Sequence, residues 1–121
     1  MNKNVLALMI ALVSISAVAQ TLPAKMEGRY SGQFGGDKTN IEFVRMDGDK
    51  AIVKFFVASA YCDHGVVEGV AEKKETGWEI NVPQARCAAW VIKLKPVEGR
   101  QKLEGSFQAS SGNYGTVYYE W

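Results

Sequence analysis

From Met26 to Trp121, apolar residues come in short runs that are separated by Gly, Asp, Pro and Ser. Within several runs they alternate with polar residues, which is typical of β-strands because successive side chains point to opposite faces. No stretch keeps apolar residues at helical spacing for three turns, so any helix is short. We predict eight strands, at about 26–34, 39–46, 50–58, 65–73, 77–82, 88–95, 101–108 and 113–121.

The alternation differs in clarity from strand to strand. In the fifth segment Trp78, Ile80 and Val82 share one face. In the fourth segment the valines alternate with small residues, and two glutamates mark the rim or the solvent side. The residues concerned are Val66, Val70, Gly69, Ala71, Glu68 and Glu72.

The segments between the predicted strands are short. Asp47-Gly48-Asp49 is a strong hairpin signal, because its central residues tolerate positive φ. None of the links offers the dozen or more residues that a parallel crossover needs. We therefore predict an all-β, single antiparallel up-and-down β-barrel of about eight strands, with a two-sheet β-sandwich as the alternative. The barrel is favoured because closure removes exposed strand edges.

The N-terminus has the three parts of a cleavable signal peptide. A short basic start is followed by an uncharged apolar run, Val5–Val13, and then by the small-x-small site Ala17-Val18-Ala19. We predict a signal peptide over 1–19 and one domain over 20–121. The product is expected in the periplasm or the external medium, without stable membrane insertion, since the apolar run is too short for a comfortable span. An uncut N-terminal anchor is the alternative.

Composition adds a constraint on partners. Once Lys3 leaves with the signal peptide, the chain carries 13 basic and 13 acidic side chains. Nucleic-acid binding depends on clustered Lys and Arg, so this balance argues against it. A last strand that ends on Trp121 is similar to those of outer-membrane barrels, but strands of about eight residues are short for that role.

Cys62 and Cys87 are the two cysteines of the chain. In an exported protein an even number of cysteines indicates a disulfide. Successive links of a meander alternate between the two ends of a barrel. Cys62 falls in the third link and Cys87 at the end of the fifth, so both lie at the same end, where a bridge is geometrically sensible.

An exported eight-stranded meander that opens with Gly28-Arg29-Tyr30-Ser31-Gly32 resembles the calycins, meaning lipocalins and avidin-like proteins. It also resembles small periplasmic barrel inhibitors of lysozyme. The resemblance covers most of 26–121 and is one of pattern. The Gly-x-Trp of lipocalins is Gly28-Arg29-Tyr30 here, and no residues correspond to the biotin contacts of an avidin. The resemblance implies a barrel and transfers no site.

Catalytic machinery is not evident in the sequence. His64 is the single histidine and lies in Asp63-His64-Gly65, an ordinary turn sequence. A catalytic base needs a nucleophile within reach, and the chain has no G-x-S-x-G motif and no second histidine for a metal. We predict that the protein is not an enzyme and that it needs no metal or cofactor.

Two binding functions remain. The first is the binding or inhibition of another protein through the disulfide-stapled loops, with exposed contacts Tyr61, Asp63, His64, Gln84 and Arg86. The alternative is a lipocalin-like carrier that holds a small apolar ligand inside the barrel. Its pocket would be lined by Trp78, Trp90, Phe43, Phe55 and Phe107, although a small barrel also needs such side chains as filling.

Overall fold

The computed structural model describes residues 22–58, 65–83 and 87–121, and the structural statements below concern these residues. The predicted signal peptide, 1–19, lies outside them. No helix in these three ranges is long and apolar enough to cross a membrane. The strands are β1 (Lys25–Gly32), β2 (Lys38–Asp47), β3 (Lys50–Val57), β4 (Val66–Lys74), β5 (Gly77–Val82), β6 (Trp90–Pro96), β7 (Lys102–Ala109) and β8 (Tyr114–Glu120).

The eight strands form one closed barrel. Each strand pairs antiparallel with the next in the sequence, and β8 pairs with β1 through Gly28 opposite Tyr119. The predicted all-β meander barrel is confirmed. The sandwich alternative is wrong, because β1 and β8 pair with each other and leave neither strand as a sheet edge.

The predicted strand bounds agree with the structure to within two residues. The largest differences are at the end of β1 and the start of β6. At β6 the chain enters the ladder at Trp90, because the Ala89 N–H donates to the Ser110 side chain instead of to a neighbouring strand. Gly48, predicted as a hairpin centre, has φ of 63° in the two-residue link between β2 and β3.

The meander gives the barrel two unlike ends. We call the end with links one, three, five and seven (33–37, 58–65, 83–89 and 110–113) the loop end. The opposite end, with the links 48–49, 75–76 and 97–101 together with Leu22 and Trp121, is the turn end. The segments that contain Cys62 and Cys87 therefore both open at the loop end, as predicted. Cys62 itself lies outside the described residues, so its bridge to Cys87 stays a prediction.

The interior is filled by the inward-facing half of every strand. In β5 the predicted inward residues Trp78, Ile80 and Val82 are buried. In β4 the small residues Gly69 and Ala71 face inward. Val66 and Val70 instead lie on the outer surface, where they are 66% and 43% exposed.

Two strand glycines are required by close backbone contact. A Cβ at Gly28 would collide with the carbonyl oxygen of Tyr118, and one at Gly105 would collide with that of Lys93. Strands of a small barrel must bend strongly, and glycine lets them do so. Gly28-Arg29-Tyr30 and Gly105-Ser106-Phe107 each have a glycine two positions before an aromatic residue. Close backbone contact explains why each of these positions is a glycine.

Candidate functional site

The predicted protein-contact residues lie outside the described part of the chain. Tyr61, Asp63 and His64 belong to 59–64, and Gln84 and Arg86 belong to 84–86. The neighbouring described residues at the loop end show how these segments are anchored, and they add contact candidates of their own.

Links one and seven are joined at the loop end. The Gln33 N–H donates to the Tyr114 carbonyl oxygen at 3.0 Å. The Phe34 N–H donates to Oδ1 of Asn113, also at 3.0 Å. One backbone bond and one side-chain bond thus hold the two links together.

This junction presents two exposed aromatic side chains. Phe34 is 54% exposed and Tyr114 is 57% exposed. The turns that carry them contain Gly35 and Gly112, each with φ of 99°, a conformation that L side chains rarely adopt. Neither aromatic residue was among the contacts predicted from the sequence. Phe34 was placed at the end of the first predicted strand, 26–34, whereas β1 ends at Gly32 and leaves Phe34 in link one.

Link seven is also joined to link five. The Ser110 N–H donates to the Ala89 carbonyl oxygen, and the Ala89 N–H donates back to Oγ of Ser110, both at 2.9 Å. Ala89 lies two residues after Cys87. Link seven is therefore hydrogen-bonded both to link one, which carries Phe34, and to link five, which ends two residues after Cys87.

Link three is anchored where it leaves β3. The Tyr30 hydroxyl donates to the Ala58 carbonyl oxygen at 2.8 Å, and the Ala58 N–H donates to the Lys38 carbonyl oxygen at 2.9 Å. Each of the four links at this end thus has at least one described residue that is hydrogen-bonded to another strand or link. These bonds anchor the links to the barrel.

Beneath the loop end the interior is packed with aromatic rings. The Trp90 ring centroid lies 5.0 Å from that of Phe107, 5.5 Å from that of Phe55 and 5.6 Å from that of Tyr30. All four side chains are at most 8% exposed. Such distances are those of aromatic pairs in contact, so these rings fill the space that they line.

The predicted pocket residues fall into two groups. Trp90, Phe55 and Phe107 belong to the aromatic cluster beneath the loop end. Trp78 and Phe43, with centroids 5.4 Å apart, lie toward the turn end. The structure therefore does not bring the five residues together around one space.

A buried polar contact links three strands inside the barrel. The Thr39 hydroxyl donates to the Phe56 carbonyl oxygen at 2.9 Å, so it accepts from the Tyr119 hydroxyl at 2.8 Å. Burial raises the pKa of Tyr119, and the hydrogen bond with Thr39 opposes this shift in part. The phenol is thus a neutral donor that supports the barrel.

A cleft of about 730 Å³ opens at the turn end. Its volume lies within the roughly 300–1,000 Å³ typical of small-molecule sites. Trp78 and Leu103 are almost fully buried beneath it, and the half-buried Leu22 and Trp121 pack beside them. The rest of the lining comes from the hairpin residues Thr76, Gly77, Pro96, Val97 and Gly99 and from four charged residues, Lys73, Lys74, Glu75 and Glu98.

Potential metal ligands do not cluster within 22–58, 65–83 and 87–121. No group of three or more His, Cys, Asp or Glu side chains in these ranges could hold a metal ion. What the described residues offer is instead an exposed aromatic pair at one end and an apolar cleft at the other.

Comparison with known proteins shows the fold and no family. No family model matches the chain, and no curated protein matches it. A de novo designed fluorescence-activating β-barrel is similar in structure with a TM-score of 0.68 and 17% identity, over 85% of this chain and 95% of that chain. A redesigned β-barrel is similar with a TM-score of 0.64 and 14% identity, over 86% and 94%. The chain is therefore an eight-stranded antiparallel closed β-barrel similar in fold to these designed proteins.

Proposed function

We propose that this protein is a non-catalytic, exported binding protein that binds or inhibits another protein through the loop end. The observation that carries the proposal is the exposed pair Phe34 and Tyr114, fixed by the hydrogen bonds between links one and seven. Aromatic side chains are enriched in protein interfaces and supply large contact areas at low entropic cost. Held on a rigid base, they are pre-organised for binding.

The proposal adds the predicted contacts of links three and five to this surface. Tyr61, Asp63 and His64 come from link three, and Gln84 and Arg86 from link five. Both links open at the same end as the aromatic pair, and link five is bonded to link seven through Ala89 and Ser110. Tyr and Arg are frequent energetic anchors of interfaces.

The proposal includes the Cys62–Cys87 disulfide and signal-peptide cleavage after Ala19. The two cysteine-bearing links share one end of the barrel, and the described part of the chain contains no free cysteine. A disulfide agrees with export to the periplasm or beyond. Intact mass of the exported protein tests both points. The expected mass is that of a chain that starts at Gln20, and it is lower by two hydrogen atoms than the mass of the same chain in reduced form.

Among protein-binding functions, inhibition of a cell-wall hydrolase is the first to examine. The closed eight-stranded meander supports the resemblance to calycins and to periplasmic barrel inhibitors of lysozyme. An inhibitor needs a rigid, exposed surface and no catalytic groups of its own. Turbidity of a cell-wall suspension treated with lysozyme, with and without this protein, is a direct assay.

The broader experiment is affinity capture from the producing cell's envelope extract, using exported protein as bait. Three baits are compared: the wild type, the Phe34→Ser/Tyr114→Ser variant of the loop end, and Val44→Ser/Met46→Ser on the exposed surface of β2 as a matched control. We expect a specific protein that the wild type and the control retain. The loop-end variant should bind it at least tenfold more weakly, a loss of about 1.4 kcal/mol or more.

Circular dichroism and urea unfolding must first show that the three baits are equally folded. Equal affinity of the loop-end variant and the wild type for the captured protein would place the contact surface elsewhere. A second loop-end variant, with Tyr61 and Arg86 both replaced by alanine, then tests whether links three and five carry the contact. If both loop-end variants bind normally, the proposal fails.

A second candidate function, transport of a small apolar ligand, is favoured by the cleft at the turn end. Trp78, Leu103 and Trp121 give it an apolar surface, and its two lysines are balanced by two glutamates. A neutral apolar molecule fits this lining better than an ion does. The carrier predicted from the sequence would then hold its ligand at the turn end instead of amid the aromatic cluster.

Titration with the neutral dye N-phenyl-1-naphthylamine tests this candidate. We expect saturable dye fluorescence with the wild type and with Phe34→Ser, and at least tenfold weaker binding by the Leu22→Ser/Trp121→Ser variant. Native mass spectrometry of protein from its own cells then looks for a retained adduct. No saturable signal, or equal binding by the variant, would remove this candidate.

A further inference from the structure

The outer surface of β3 and β4 has a regular pattern that the binding proposals do not use. The two strands pair antiparallel, and their outward side chains form rows that cross from one strand to the other. Charged and apolar rows alternate along the strands. The rows are Lys50–Glu72, Ile52–Val70, Lys54–Glu68 and Phe56–Val66.

This surface is the apolar side of the barrel exterior. Val66 and Val70 are 66% and 43% exposed, and Ile52 and Phe56 are half-buried between their neighbours. By contrast, the outward positions of β7 are Glu104, Ser106 and Gln108. The water-facing side of an antiparallel sheet normally carries polar residues, so exposed valines in register call for a physical reason.

The charges of this surface are sorted by strand. Both lysines lie on β3 and both glutamates lie on β4. Among the described residues no ion pair joins Lys54 to Glu68, or Lys50 to Glu72, although each pair is directly opposite in register. Glu72 instead pairs with Lys74, at 3.2 Å. Lys54 and Glu68 are thus exposed and form no ion pair among the described residues, although Glu42 of β2 also lies opposite Lys54.

Because of this sorting, the surface is complementary to itself. A two-fold axis that runs parallel to the strands, above the line midway between them, sets β3 of one copy on β4 of the other at equal height. Lys54 then faces Glu68 of the second copy, and Ile52 faces its Val70. Phe56 faces Val66 in the same way. Each of these contacts occurs twice, once from each copy to the other, as an isologous interface requires.

We propose that a second copy of this protein docks on the outer face of β3 and β4 through this two-fold arrangement. The occupant is identified by the complementarity of charge and of apolar rows. The rows are about 7 Å apart along the strands, so the face is about 20 Å long. Its apolar rows supply buried area, and its charged rows fix the register.

Competing arrangements of two copies are disfavoured by the same residues. A shift by one row would set Lys54 against apolar residues and bury its charge without a partner. An axis that runs across the strands would set β3 on β3, so that Ile52 meets Lys54 or Lys50 meets Lys54. The pattern therefore disfavours these two alternatives as well as favouring one arrangement.

Sedimentation equilibrium on the oxidised, exported protein over a range of concentrations tests the proposal. The wild type should form dimers. Lys54→Glu alone places four carboxylates near the axis, and Glu68→Lys alone places four ammonium groups there, so each variant should dimerise at least tenfold more weakly. An equimolar mixture of the two should form a heterodimer close to wild-type affinity, because the carboxylates at positions 54 and 68 of one chain then face the ammonium groups at positions 68 and 54 of the other.

The mixture separates contacts between chains from contacts within one chain, since neither variant regains its own internal Lys–Glu pair. Lys93→Glu on the outer face of β6 is the matched control and should dimerise normally. A wild type that remains monomeric at all concentrations would overturn the proposal. So would single variants with unchanged affinity, or a mixture without heterodimers. None of these results bears on the loop-end proposal.

Discussion

The two ends of the barrel are stabilised in different ways. At the loop end the links are long, but hydrogen bonds join them to one another and to the strands, and a cluster of four aromatic rings fills the interior below them. At the turn end two of the three links are only two residues long, and an apolar cleft of about 730 Å³ lies between the hairpins and Trp121.

The difference shows that the length of the links does not decide where a barrel has open space. Interior side-chain volume does. Trp90 and its three neighbours occupy the region under the longer links, whereas toward the turn end a single ring pair, Phe43 and Trp78, lies near the cleft. The described loop-end residues are therefore suited to present a surface, and the turn end is suited to admit a small molecule.

The largest expected effect comes from removing one tryptophan at each end. Trp90→Ala should destabilise the protein by about 3–5 kcal/mol, since it leaves a cavity among Tyr30, Phe55 and Phe107. Trp78→Ala should lower the free energy of unfolding by less, because the Trp78 ring lies beside an existing cleft. Among the described aromatic residues, Phe43 is the only one whose ring contacts it. Urea unfolding of both variants measures the difference.

Equal or reversed losses would contradict this difference between the two ends. Because either variant could unfold altogether, Trp90→Phe and Trp78→Phe provide a milder matched pair. The same order is expected for them, with smaller losses. A Trp78→Phe loss that exceeds that of Trp90→Phe would mean that the turn-end cleft is not open in solution.

Much of the fold could be predicted because its signals are local. Alternation in β5, the Gly48 hairpin and the short links sufficed for eight strands, their order and the closed meander. The orientation of β4 was harder. Val66 and Val70 are the obvious core residues of that segment, yet Gly69 and Ala71 face inward. A Cβ at Gly69 would lie 2.8 Å from the Asn81 carbonyl oxygen, so the interior has no room for a side chain at that position.

The site was less predictable, because its parts meet only after the barrel closes. The bond between Phe34 and Asn113 joins residues 79 positions apart. The division of the predicted pocket aromatics into two groups follows from which end of the barrel each strand position occupies. The exposed aromatic residue Phe34 was visible in the sequence, but nothing local distinguished a surface anchor from a core residue.

A smaller effect is expected from the buried hydroxyl that connects β8 to β2. Tyr119→Phe removes the hydrogen bond to Thr39 and should cost about 1 kcal/mol near neutral pH. In the unfolded chain this phenol ionises near its ordinary pKa of 10.0, whereas burial raises its pKa in the fold. The folded state therefore keeps the proton while the unfolded state loses it.

The wild type should therefore lose stability at alkaline pH. Above about pH 10 the free energy of unfolding of the wild type should fall, by at most about 1.4 kcal/mol per pH unit from this group, and below that pH its contribution is fully present. Tyr119→Phe should lose less stability in the same alkaline range, and the exposed Tyr114→Phe should follow the wild type. Parallel urea-unfolding profiles for wild type and Tyr119→Phe would show that the phenol is not buried in solution.

The smallest expected effect concerns the bonds that join the loop-end links. Ser110→Ala removes the acceptor of the Ala89 N–H but leaves the backbone bond between the same residues, so it should cost about 0.5–1 kcal/mol. At the turn end Lys74→Gln breaks only the exposed ion pair with Glu72, for which about 0–0.5 kcal/mol is expected. Hydrogen exchange sharpens this test, since Ser110→Ala should speed exchange of the Ala89 amide and leave the Lys73 amide, bonded to Asp49 at the turn end, unchanged. Equal exchange of Ala89 in the variant and the wild type would mean that the loop end does not depend on its side-chain hydrogen bonds, and its rigidity would then have to come from the aromatic cluster beneath it.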